Sequence, residues 1–174
     1  MRIETLMLVA SLLSVVAYDV EGHNGTVNIS GTIQDNTCAV AADSKNKTVQ
    51  LGNVTRSQFS FVGERSPAVP FVINLENCGP AASEATVTFS GTADTVNSDL
   101  FAIDKTSDSA TGLAVAIYDS SGNIVAPEKP SGGYALKPNE VSVALNFTAR
   151  YKSVLEEVTP GSADAVTTFV LNYD

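Results

Sequence analysis

"GTVNISGTIQDNTC", residues 25–38, is the stretch on which the fold turns. Val27, Ile29 and Ile33 alternate with polar residues, and Gly31 stands where the next apolar side chain should fall. A period of two marks a half-buried strand. Such a strand needs a neighbour for its N–H and C=O groups and a cover for its apolar face. The remaining residues must say whether that cover belongs to the same domain or to another molecule.

Downstream of this stretch the pattern is β throughout. "CAVAA" (38–42) and "KTVQLG" (47–52) are short strand-like runs split by the polar residues Asp43–Asn46. The charges of 43–47 predict a solvent-facing loop. "AVPFVINLENC" (68–78) predicts a longer strand entered through Pro67 and Pro70, and "EATVTFSG" (84–91) and "GLAVAIYD" (112–119) predict two more. "DSSGN" (119–123) predicts a hairpin turn with Gly122 where φ must be positive. "EVSVALNFTARY" (140–151) puts Val141, Val143, Leu145, Phe147 and Ala149 on one face, and "DAVTTFVLNYD" (164–174) ends the chain. Helix is expected only as single turns near 54–59 and 100–103. Strands of this length between Gly, Pro, Asn and Ser turns predict an all-β antiparallel sandwich.

Composition limits the function. The chain has 174 residues, one domain's worth, and 44% of them are apolar, enough for a packed core. Its formal charge of −9 repels phosphates and anionic lipid, which argues against nucleic acid and membrane surfaces as partners. Residues 6–17, "LMLVASLLSVVA", are too short to span a bilayer. With Arg2 ahead of them they read as the core of a secretory signal peptide, residues 1–22, cut after Gly22; the alternative is a buried N-terminal helix. His23 is the only histidine, so no Ser-His-Asp arrangement falls within the mature domain. Two cysteines without further histidines do not make a structural zinc site. Glu156-Glu157 read as solvated loop charges rather than an acid/base pair. No enzyme, no cofactor, no metal and no small-molecule substrate is expected.

Cys38 and Cys78 in an exported chain read as one disulfide, with buried free thiols as the alternative. Closing a loop of about 40 residues would stabilise the fold by roughly 4 kcal/mol on a chain-entropy estimate. After Cys38 there are six substantial strands, where a complete sandwich of this kind has about seven. A spare alternating strand sits at the front, and nothing after "FVLNYD" covers the last one. An open apolar edge invites aggregation unless something fills it.

The order of these features resembles one family, the pilin subunits assembled by the chaperone–usher route, and most closely the minor adaptor subunits of type 1-like fimbriae. The resemblance spans 23–174. It rests on the alternating extension, "DNTCAVAADS" (35–44), "VPFVINLENCG" (69–79), "VTFSGTAD" (87–94), Gly161 and the penultimate Tyr173. It implies an incomplete immunoglobulin-like sandwich over 36–174, with residues 23–35 as a donor strand. Val27, Ile29, Gly31 and Ile33 would enter a neighbouring subunit; an alternative role for Gly31 is a β-bulge. Gly161, Phe169, Leu171 and Tyr173 would mark the strand beside the acceptor groove. The implied partners are a periplasmic pilus chaperone, an outer-membrane usher and neighbouring pilins, and the implied location is an extracellular fimbrium reached through the periplasm. The implied role is a linking, non-enzymatic subunit; a major shaft pilin and an exported adhesin-like binding module are the alternatives. The protein purified after export should begin at His23 and gain the mass of two hydrogens on reduction, both read by intact-mass spectrometry.

Overall fold

The computed structural model describes residues 29–33 and 36–174. The expected signal peptide (residues 1–22) and Val27 lie outside the described residues. The chain divides into two units, Met1–Thr32 and Ile33–Asp174.

The second unit holds eight strands: β1 (Ala39–Val40), β2 (Val69–Glu76), β3 (Glu84–Ser90), β4 (Phe101–Ala102), β5 (Leu113–Tyr118), β6 (Tyr134–Ala135), β7 (Ser142–Ser153) and β8 (Thr168–Tyr173). They form a five-stranded sheet in the order β1-β2-β7-β5-β4 and a three-stranded sheet in the order β6-β3-β8. All named strand pairs are antiparallel. The architecture is the expected immunoglobulin-like sandwich.

The core forms where the two sheets face each other. Ile73 and Leu75 of β2 and Leu145 and Phe147 of β7 meet Ala85, Val87 and Phe89 of β3, all buried. Aromatic rings join the layers. Phe147 stacks on Phe71 at 5.5 Å and meets the edge of Phe89 at 5.2 Å, and Phe89 reaches Phe169 of β8 at 6.4 Å. Such pairs add roughly 0.5–1.5 kcal/mol beyond the area they bury. β5 is buried along its whole length. On its outer side Ala114, Ala116 and Tyr118 form a second small cluster with Leu100 and Val154, and Arg150 lies over the Tyr118 ring at 5.2 Å.

Cys38 and Cys78 form a disulfide, at the end of the sandwich where β1 pairs with β2. The turn at 119–123 is also as expected. Gly122 has φ 83°, and the buried Asp119 carboxylate accepts from the backbone N–H groups of Ser121 and Asn123 at 2.9 Å and Gly132 at 3.3 Å.

Three local expectations are corrected. Residues 100–103 supply β4 instead of a helical turn, because Phe101 and Ala102 pair with Val115 and Ala114 of β5. The expected loop at 43–46 contains a one-turn helix, α1 (Ala42–Lys45). There the buried Ser44 hydroxyl accepts the Asn74 N–H at 2.9 Å, ending the β1–β2 ladder with a side chain. The Asp43 carboxyl is held below its usual range by hydrogen bonds first from Ser44 and then from Asn74. Finally, "KTVQLG" carries the alternation of a strand, with Val49 and Leu51 half-buried, but joins no named ladder, although residues 47–50 line the same depression as Val69, Pro70, Phe71 and Val72 of β2.

Phe147 touches three other aromatic rings and is almost wholly buried. Phe147→Ala should cost about 3–5 kcal/mol in urea unfolding, with Phe169→Ala well below that because its ring is half-exposed already.

Candidate functional site

The site is a sheet edge. β8 pairs with β3 from Ala85↔Tyr173 to Ser90↔Thr168, and among the described residues no strand pairs along its other side. The consequence shows in burial. The inward residues of β3 are fully buried, whereas Phe169, Leu171 and Tyr173, inward on β8, are only half-buried. The alternation continues upstream, with Ala163, Ala165 and Thr167 also half-buried between exposed neighbours. These positions form one row of partly covered side chains, all but Thr167 packed against the main core as partly buried hydrophobics. A second set on the same core has the same character: Val40, Leu51 and Val54 from the amino-terminal part, and Phe71 and Val143 from the sheet. Near them, Val49, Val69, Phe71 and Val72 line an open depression of about 420 Å³.

Two tyrosines peg the β8 segment at its ends. The Tyr151 hydroxyl donates to the Ala163 carbonyl at 2.9 Å, and the Tyr173 hydroxyl donates to the Cys38 carbonyl at 3.0 Å. The segment is thus held in place without a second neighbouring strand. Gly161 serves it differently from the other predicted residues. It lies in the loop before β8, where an added Cβ would stand 2.3 Å from the Ala110 nitrogen. Only glycine lets this loop pack on residues 108–110, where Ser162 exchanges backbone hydrogen bonds with Asp108 and Ala110.

The predicted residues therefore fall into groups. Phe169, Leu171 and Tyr173 share the open edge, and Gly161 sets the approach to it. Ile29 and Ile33 are 93% and 101% exposed, and residues 29–33 form neither strand nor helix. No described atom lies within 4 Å of where a Cβ on Gly31 would be. Ala163, Ala165 and Thr167 belong with the edge as well. Their alternation with Asp164 and Val166 was the available signal, masked because small side chains mark an apolar face weakly.

Residues 27–174 match the fimbrial protein family. The chain belongs to that family. It is 43% identical to the fimbrial-like protein YcbV of Escherichia coli (strain K12), over 87% of each chain. It is 38% identical to the probable major fimbrial subunit LpfA of Escherichia coli O157:H7, over 94% of this chain and 92% of that one. Among solved structures, the P pilus rod subunit PapA superposes with a TM-score of 0.64 at 25% identity, covering 79% of this chain and 99% of that one. This fimbrial protein is therefore a structural subunit of surface fimbriae and not an enzyme.

Burial raises the Tyr151 phenol above its usual value, and the Asp164 carboxylate adds to the rise. The folded value exceeds the unfolded one. The associated stability is whole below about pH 10 and is lost as pH climbs through the raised value. Urea midpoints measured from about pH 9 to 12 should fall with pH, and Tyr151→Phe, which cannot ionise, should flatten part of that fall.

Proposed function

We propose that the chain is polymerised by donor-strand exchange: residues 23–35 of one subunit lie along β8 of the next and complete its sandwich. The observation that carries this is the half-burial of Phe169 and Leu171 on an edge along which no described strand pairs, while Ile29 and Ile33 stand exposed. Burying Val27, Ile29 and Ile33 would contribute up to roughly 1.5–3 kcal/mol each, and each new ladder bond a net 0.5–1.5 kcal/mol or so. Gly31 would let the incoming backbone come close where the groove is shallow. β-Strand addition of this kind is a known recognition mode of pili, in which main-chain bonds give affinity and alternate side chains give specificity. Before exchange, a periplasmic chaperone would occupy the same edge, and an outer-membrane usher would be the place of exchange.

Two positions in a fimbria suit such a subunit. "DNTCAVAADS" and "VTFSGTAD" resemble adaptor subunits. The likeness to a probable major subunit and to a rod subunit favours the shaft, and we take the shaft as the better reading. Copy number per fimbria, counted by quantitative mass spectrometry, decides: many copies for a shaft subunit, one or a few for an adaptor.

Deleting residues 23–35 should leave a domain that the chaperone still captures but that cannot enter a neighbour. Detergent-resistant multimers made by the deleted chain alone would refute strand donation. Ile29→Asp should slow exchange by placing an unpaired charge against apolar side chains, read as the rate at which chaperone-bound subunits become multimers.

A further inference from the structure

β7 is the middle strand of the five-stranded sheet, and Asn146, Thr148, Arg150 and Lys152 lie on its outward face. Arg65 stands directly opposite Lys152. Backbone bonds flank this pair instead of joining it: the Ser66 N–H donates to the Tyr151 carbonyl and the Ser153 N–H to the Glu64 carbonyl. That is the pairing in which two side chains lie closest, with Cα atoms about 4.5 Å apart. Two cations thus share the tightest cross-strand position, an arrangement that costs stability. Arg150 adds a third, about 7 Å along the strand. Its guanidinium lies over the Tyr118 ring at 5.2 Å, and its Nε is buried without a hydrogen-bond partner.

Three of the ten Lys and Arg residues are gathered here, in a chain whose formal charge is −9. Among the described residues none of the three makes an ion pair. The carboxylates around them are engaged or distant. Glu64 turns away to accept from the N–H groups of Ser60 and Phe61. Asp94 accepts from those of Val96 and Asn97, and it and Asp99 lie at the β4 edge, about 10 Å across the sheet. Glu76 pairs with Ser142, about 27 Å from Arg150 along β7. Cations on strands often serve to block an exposed edge. Arg150 and Lys152 have no such duty, because β7 has neighbours on both sides.

We infer that Arg65, Arg150 and Lys152 form a binding site for an acidic saccharide, holding one sulfate ester or carboxylate between them. The site lies on the sheet that does not contain β8, so it is independent of strand exchange. Guanidinium forks fit the paired oxygens of such a group, and the ammonium adds a point charge. Seating Arg150 on the Tyr118 ring preorganises one fork. Next along β7, Thr148 and Asn146 offer a hydroxyl and an amide, uncharged groups suited to sugar hydroxyls. Charge sets the size of the ligand. The three cations outweigh the acidity of the chain only locally, within a Debye length of about 8 Å. A single anionic group is attracted, whereas a nucleic acid or an anionic lipid surface is repelled by the rest of the molecule.

The test is ligand-observed NMR titration of the full exported chain, as isolated from the periplasm. The probes are N-acetylglucosamine 6-sulfate and glucuronic acid, with N-acetylglucosamine and sodium sulfate as the neutral and sugar-free controls. At least one acidic sugar should bind about tenfold or more tightly than either control, and Arg150→Gln and Arg65→Gln should each weaken it by about tenfold. Arg65 is exposed, so its variant tests the site even if Arg150→Gln folds poorly. With a like charge removed, the urea midpoint of Arg65→Gln should hold or rise. Acidic sugars that bind no better than N-acetylglucosamine would overturn the inference, as would an affinity unchanged in Arg65→Gln. Sodium sulfate binding as tightly as the sugars would reduce the site to an anion site and overturn the saccharide. Equal competition by a peptide of Asp and Glu would overturn it too, giving the patch to an acidic protein segment. A fall in the Arg65→Gln urea midpoint would make the cation structural and remove the ground for a ligand.

Discussion

A sheet edge leaves a row of backbone N–H and C=O groups without partners, and those groups must be paired or kept in water. This sandwich deals with most of its edges and leaves one alone. β2 carries Pro70, which has no N–H to offer a foreign strand, and at Asn74 its ladder is closed by the Ser44 hydroxyl. The far half of β7 is covered by residues 61–66. There the Gly63 N–H donates to the Ser153 carbonyl, the Ser153 N–H to the Glu64 carbonyl and the Ser66 N–H to the Tyr151 carbonyl, and the Ser66 hydroxyl accepts the Tyr151 N–H. β8, by contrast, contains no proline and no charge, and among the described residues no strand pairs along its other side. Its inner side chains are apolar and half-wet. Guarded edges elsewhere make the bare one informative, because the same chain shows that it has the means to block an edge.

That asymmetry also explains what the sequence could disclose. Four of the five long strands were legible through alternation, β5 through an unbroken apolar run, and the hairpin at 119–123 through a glycine where φ is positive. The serines were not. Ser44, Ser66, Ser131 and Ser153 are all buried, and each hydroxyl makes a hydrogen bond with the backbone of another segment, at Asn74, Tyr151, Val87 and Phe61 respectively. A serine in a polar stretch reads as a turn residue, and nothing local distinguishes one that meets a strand thirty or more positions away. The same blindness hid α1 and turned "KTVQLG" into an expected strand. Its alternation is real, yet a ladder depends on a partner that only the tertiary path provides.

The disulfide and the tyrosine pegs tie this incomplete layer together. Cys38 is bonded to Cys78, its carbonyl takes the Tyr173 hydroxyl, and the Thr37 carbonyl takes the Gly79 N–H at 2.8 Å. One small region thus joins the start of the domain, the end of β2 and the end of β8. A covalent link there matters more than it would in a closed sandwich. Among the described residues β8 has a ladder on one side only, so a constraint on the unfolded chain and a fixed position for the last residues replace part of what a second neighbouring strand would supply. At the other end, Tyr151 and the close packing of Gly161 on residues 108–110 do the same by contact alone.

If strand exchange is as proposed, stability and function draw on the same residues. In the proposed strand exchange, filling the apolar row on β8 from within would remove the half-burial and with it the reason for a second molecule to bind. Leaving it bare without the pegs would let the strand fray, because a three-stranded sheet with one strand held on a single side has few ladder bonds to spare. The sequence meets both demands by dividing the faces of one strand. Phe169, Leu171 and Tyr173 point inward and are tied to the core; Thr168, Val170 and Asn172 point outward and carry no charge. The inner row keeps an unfilled groove in one fixed shape. Preorganisation of that kind lowers the entropy lost when a strand is added. In the proposed exchange the energy of joining two subunits would then go into the joint rather than into folding the acceptor.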